Sequence, residues 1–182
     1  GFQGAFKEAI RNGGENTFIK ENRFGNNKVS LKEADTARKG VYESNIILYA
    51  YDKGIVLHGM DGEVKTSTIR FSPVGVQIGE EVGYPSTYPD AICSTLQWYP
   101  TYCSLPNWGK RATLFQNTIS ENTVGVKVVG LDNVIDSNTI IKNQEGIVVR
   151  AIFAGGEMNY YGWYDEYFQS GVFIDGNDLK EN

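Results

Sequence analysis

Between Leu114 and Val149 the apolar and polar positions follow one pattern written twice. Asn117-Thr-Ile-Ser-Glu-Asn122 answers Asn138-Thr-Ile-Ile-Lys-Asn143, and Gly125-Val-Lys-Val answers Gly146-Ile-Val-Val, each 21 residues further on. With Φ for an apolar residue, the unit is Φ-x-x-Asn-x-Φ-x-x-Asn-x-x-Gly-Φ-x-Φ. Alternation in GVKV and GIVV sends every second side chain to one face, as in a strand. Asn suits turns, because it tolerates left-handed backbone and its amide bonds nearby peptide groups. Stacked one above another, such amides form ladders. Gly before the last strand suits a corner with no room for a Cβ. A period this short, with short strands and Asn and Gly at the corners, predicts a β-solenoid whose apolar positions point inward and stack along the axis.

The same unit runs through most of the chain. Residues 1–15 leave two options open. Phe6, Ala9 and Ile10 have helical spacing, and Asn12-Gly13-Gly14 would end a short N-terminal helix that caps the solenoid. The same segment also reads as the last strand of an earlier coil. Clear units start at Ile19, Tyr42 and Val64, the third with Ser67 and Ser72 in place of Asn. The repeated pair supplies units four and five, and Ile174–Asn182 a sixth without a closing strand. An open coil end exposes unpaired strand edges, so a longer parent chain, or a neighbouring subunit over that end, is expected.

Two excursions interrupt the coils, at 79–112 and 150–172. Both leave after the same strand of the unit, so they should emerge on one side, two coils or roughly 10 Å apart. Neither shows obvious strands. Both are aromatic: the first holds Trp98 and Trp108, the second Tyr161 and Trp163, among others. Such rings either pack on one another over the solenoid or offer flat faces for stacking on sugars. Those four residues are the candidate ligand contacts.

Composition narrows the partners. The 182 residues carry a net charge of −5 with no basic stripe, which argues against nucleic acid as the main partner. No stretch approaches a membrane span, and the first residues are not a signal peptide. Cys93 and Cys103 fall inside the first excursion, where a disulfide would close a small ring and contribute about 2–3 kcal/mol. Cysteines confined to such a loop suggest an oxidising, extracytoplasmic setting: extracellular, cell-surface or periplasmic. The 182 residues read as one domain.

The NTISENTVGVKV and NTIIKNQEGIVV units resemble the right-handed, single-stranded parallel β-helix repeat of the pectate-lyase-like superfamily. The Asn-rich repeats of NosD-like and CASH-type surface proteins are the nearest flavour. The resemblance covers about 16–78, 113–149 and 173–182. It implies an all-β fold, but the superfamily spans lyases, hydrolases, epimerases, tailspikes and surface-layer components, and a shared fold does not carry an activity with it.

Chemistry must therefore be sought residue by residue. A lyase needs acidic residues for calcium and an Arg or Lys as base. Along the column after the last inward residue (His58, Gly79, Val129, Arg150) only Arg150 resembles such a base. Glu80 and Glu81 in one excursion and Asp165 and Glu166 in the other would have to converge for glycoside hydrolysis. The Asp-Asp pair and Gly-His-Gly segment of galacturonan hydrolases are missing, as is the Asp-Pro-His segment of alginate epimerases. A copper site would need His58 and Met60 to meet Met158; His58 reads better as a surface residue ending a strand. Asp61, Glu63 and Asp132 are possible calcium ligands or solvated turns, and no cofactor is otherwise implied.

These readings converge on an extracytoplasmic β-helix that serves as a scaffold for recognition. It would contact a polysaccharide or a surface protein through its aromatic loops. An enzyme acting on an acidic glycan is the alternative, and a subunit that stacks end to end into a filament or array is the third.

Overall fold

The computed structural model describes residues 2–3, 7–79, 109–129, 132–149, 152–158, 164–169 and 172–182, with backbone alone at 2–3, 152–158 and 164–169. The fold is a right-handed parallel β-helix. Strands β1 (Phe2–Gln3) and β2 (Glu8–Asn12) come first. Coil 1 then lays down β3 (Phe18–Lys20), β4 (Arg23–Gly25) and β5 (Val29–Glu33). Coil 2 repeats the triplet as β6 (Val41–Glu43), β7 (Ile46–Leu48) and β8 (Lys53–Leu57), and coil 3 as β9 (Glu63–Lys65), β10 (Thr68–Arg70) and β11 (Val74–Ile78). Coil 4 is β12 (Thr113–Phe115), β13 (Thr118–Ser120) and β14 (Val124–Val128). Coil 5 is β15 (Asn133–Asp136), β16 (Thr139–Ile141) and β17 (Glu145–Val149). After a hairpin of β18 (Ile152–Met158) and β19 (Tyr164–Gln169), coil 6 has β20 (Val172–Asp175) and β21 (Asp178–Lys180).

Each strand of a coil pairs in parallel with its counterpart one coil away, building three sheets. The first sheet runs β3-β6-β9-β12-β15-β20, the second β1-β4-β7-β10-β13-β16-β21, and the third β2-β5-β8-β11-β14-β17. Register keeps identical stations above one another: Ile47, Ile69, Ile119 and Ile140 form one column, and Tyr42, Val64, Leu114 and Ile135 another. All of these are buried in a single core. The next coil completes that burial. Ile135 and Ile140 are fully buried, whereas Ile174 and Leu179, at the same stations of coil 6, are 43% and 51% exposed.

Of the two options at the N-terminus the strand is the one formed, and the expectation for the second excursion needs correction. Residues 8–12 form strand β2, not a helix, and Ile10 sits on Leu31 in the third sheet. A helix of two turns is marginal alone, while the strand satisfies its backbone against β5 and adds Ile10 to the core edge. The second excursion also contains regular structure, because β18 and β19 pair antiparallel.

The corners explain the Asn and Gly of the unit. Each corner holds one residue with positive φ, but it is the residue before the repeat Asn: Glu21, Ser44, Thr66, Gln116 and Ser137 at one corner, Asn26, Tyr49, Phe71, Glu121 and Lys142 at the next. The repeat Asn points inward and works as a ladder. Ser67 N donates to Asn117 Oδ1 at 2.9 Å, and Asn117 N to Asn138 Oδ1 at 2.9 Å. At the following corner Ser72 N donates to Asn122 Oδ1 and Asn122 N to Asn143 Oδ1, both at 3.0 Å. Glycine is required at the second residue of the third strand by packing: a Cβ on Gly75 would lie 2.6 Å from the Gly125 carbonyl oxygen and 2.9 Å from Ile119.

Candidate functional site

The third sheet carries the features that set one side of the solenoid apart. Both excursions start from it, one after β11 and one after β17, with β14 between, as the spacing predicted. The first closes on itself at its base. Gly79 N donates to Leu57 O and Gly109 N to His58 O, both at 2.8 Å. A Cβ on Gly109 would stand 2.3 Å from Gly79 N.

On the outward face of this sheet, over β2, β5 and β8, lies a cleft of about 180 Å³. Val29, Val56 and Gln77 are buried in its floor. Lys7, Lys28, Lys32 and Lys53 stand around it with only Glu8 and Asp52 as carboxylates. Lys32 pairs with Glu8 at 3.3 Å and Lys53 with Asp52 at 3.1 Å. Among the described residues Lys7 and Lys28 have no ion-pair partner, so the described lining of the cleft carries four lysines against two carboxylates on a protein of net charge −5. Sequence reasoning passed over these lysines. Their signal was the alternation of Lys32 with inward Leu31, and the recurrence of Lys at the start of the third strand.

Directly inside the same sheet is a second polar group of residues. Glu33 is buried at an inward station, between Asn12 below and Leu57 above. The Tyr42 hydroxyl donates to Glu33 Oε1 at 3.1 Å, Gly59 N donates to Oε2 at 3.2 Å, and Asn12 Nδ2 donates to the Tyr42 oxygen at 2.9 Å. Gly40 and Gly62 make room: a Cβ on either would lie 2.6 or 2.8 Å from the carboxylate. Burial pushes the Glu33 carboxyl up to about 7, and the Asp61 charge adds to this, against the two hydrogen bonds that favour the anion.

The predicted site residues fall in several places. Arg150, Glu80, Glu81, Trp98, Trp108, Tyr161, Trp163, Cys93 and Cys103 lie outside the described residues. Asp165 and Glu166 lie on β19, opposite Glu157 and Gly156. His58 does follow β8, in the column of Gly79 and Val129, but it is buried and not a surface residue. Met60 Sδ accepts from the Arg38 guanidinium at 3.1 Å. Both oxygens of Asp61 accept from Arg111, at 2.7 and 2.9 Å, which holds its carboxyl below the usual range. Glu63 pairs with Lys65 at 3.6 Å, and Asp132 sits exposed at a corner with positive φ. Among the described residues no three His, Cys, Asp or Glu gather as a metal site.

No protein-family model, curated protein or solved structure matches this chain. The repeat architecture and the chemistry of the cleft must carry any functional reading.

Proposed function

We propose that this β-helix is a recognition scaffold that binds an extended acidic polysaccharide across the outward face of its third sheet. In this reading the aromatic excursions add contacts from the side, and the setting is extracytoplasmic. The observation that supports it is the lysine cleft, in which Lys7 and Lys28 have no ion-pair partner among the described residues, on the sheet from which both excursions start. A parallel β-helix presents identical stations at about 4.8 Å intervals, a regular surface suited to a regular polymer. Ammonium groups at a cleft rim attract carboxylates in a salt-dependent way.

Affinity electrophoresis through a panel of neutral and acidic polysaccharides tests this, with each polymer then checked for shortening. The expected result is retardation by an acidic polymer without shortening, weakened by salt and by the double substitution Lys7→Ala/Lys28→Ala. Trp98→Ala and Trp163→Ala measure the share of the excursions. Shortening of the polymer would replace the binding reading with catalysis by Arg150 and the carboxylates Glu80, Glu81, Asp165 and Glu166. No retardation on any polymer would remove the glycan.

A further inference from the structure

The corner between the second and third sheets carries an aromatic stack that the core does not use. Tyr49 of coil 2 and Phe71 of coil 3 occupy one column, with ring centroids 4.8 Å apart and planes 9° from parallel. That separation matches the step between coils, so the stack climbs the solenoid axis one ring per coil. Its upper end is closed. The Arg70 guanidinium lies over Phe71, 4.7 Å from the ring centroid, and pairs with Glu121 of coil 4. Among the described residues its lower end is open. In coil 1 the same column holds Asn26, which is exposed and too short to cover a ring, and Tyr49 remains 52% exposed.

The aromatic residues are costly where they stand. Tyr49 and Phe71 have φ of 56° and 59°, and bulky side chains are rare in that region. Elsewhere the column uses Asn26, Glu121, Lys142 and Glu181, side chains at home on a solvated corner. Two rings placed there stabilise each other but add nothing to the interior, a pattern better explained by what they contact than by what they support.

We infer that the lower face of Tyr49 is a stacking subsite for one pyranose ring bearing a carboxylate, with Asn26 and Lys28 as its polar contacts. The inference rests on the proposal that the protein binds an acidic polysaccharide. A sugar stacked on Tyr49 lies level with coil 1, its plane across the axis. Its polymer then turns the corner onto the outward face of the third sheet. Two residues after Asn26, on the third-sheet side, comes Lys28, exposed and at the rim of the lysine cleft. Tyr51, 63% exposed, stands one coil above Lys28 and bounds the path. Ring face, amide and ammonium thus line up in the order a uronate residue would meet them, with its apolar face on Tyr49, its hydroxyls at Asn26 and its carboxylate at Lys28. The cleft then receives the next residues of the chain.

Affinity electrophoresis of the full chain in polygalacturonate and in the neutral polymer hydroxyethylcellulose decides the matter. Tyr49→Ala is expected to weaken polygalacturonate binding about tenfold, the scale of one aromatic contact. Tyr49→Phe keeps the ring and should bind as the parent does. Lys28→Gln should weaken binding at low salt and lose most of its effect at high salt. Tyr49 is a surface residue, and an unchanged urea midpoint would confirm that Tyr49→Ala is folded. Equal binding by Tyr49→Ala and the parent chain would overturn the subsite while leaving the recognition scaffold standing. A parent chain that ignores polygalacturonate but binds another polymer would also overturn it. A parent chain that binds nothing would remove both.

Discussion

The inward column of the third sheet changes character along the axis. At the N-terminal end it reads Asn12, Glu33; from coil 2 onward it reads Leu57, Ile78, Val128. The backbone register is the same throughout, so strand geometry does not decide which residue is tolerated. What differs is the first-sheet corner opposite. There Gly40 and Gly62 vacate space for a carboxylate, and Tyr42 supplies a hydroxyl to meet it. One coil further on, the residue in register with Gly62 is Ala112, and the neighbouring station is Leu114. A buried carboxylate is thus accommodated by side chains missing from neighbouring coils, and the apolar half of the solenoid has filled that recess.

The sharpest way to break this comparison is to move the charge. Ile78→Glu would place a carboxylate beside a coil that carries Ala112 and Leu114 where Glu33 meets Gly62 and Tyr42, so no tyrosine hydroxyl awaits it. An uncompensated buried charge costs roughly 3–5 kcal/mol, which urea unfolding would register as a large loss or as failure to fold. A cost below about 1 kcal/mol would mean that the recess plays no part.

The next effect comes from Glu33 itself. Its folded value near 7 lies above the ordinary 4.5. Between these values the folded state keeps a proton that the unfolded chain has lost, so stability falls as pH rises through the window. The full span is on the order of 3 kcal/mol. In Glu33→Gln that component of the pH dependence should vanish, leaving a flatter urea midpoint between pH 4.5 and 7. Parallel midpoint curves for the two proteins would show that Glu33 titrates as an exposed carboxyl does.

The smallest effect is expected in the apolar half. Asn117→Ala removes the acceptor of Ser67 N and the donor to Val64 O. Leaving the buried Ser67 N without its acceptor costs roughly 1–3 kcal/mol. The second ladder already tolerates a break of this kind, because Ala50 stands in coil 2 at the station held by Ser72 and Asn122 above it.

Much of the fold was legible in the sequence, because a strict repeat reports its own neighbours: the apolar positions of one unit pack on those of the next. The departures have separate physical causes. Asn was expected both to take left-handed backbone and to form amide ladders; the ladders are there, but the corner uses the preceding residue for the left-handed step. Strand β2 was ambiguous because five residues carry too little periodicity to separate strand from helix. The hairpin β18–β19 lies in a segment whose aromatic residues follow no repeat. Glu33 and Lys32 are adjacent charged residues in the sequence, and alternation alone sends one inward and the other to the cleft rim. The stack of Tyr49 on Phe71 was equally hidden, since its partners are 22 residues apart and the unit pattern leaves their column unspecified.

The glycine neck at Gly79 and Gly109 has a consequence for how such a chain can change. Coils 3 and 4 pair strand for strand, as coils 2 and 3 do, although an excursion separates them in sequence. The two ends of that excursion touch, so the register above and below is indifferent to what is spliced between them. The port accepts cargo of any length whose ends can meet. Variation there rewrites the face shown to the surroundings while the stacked coils stay as they are. Selection on what the protein touches and selection on what holds it up can therefore proceed on separate stretches of one chain.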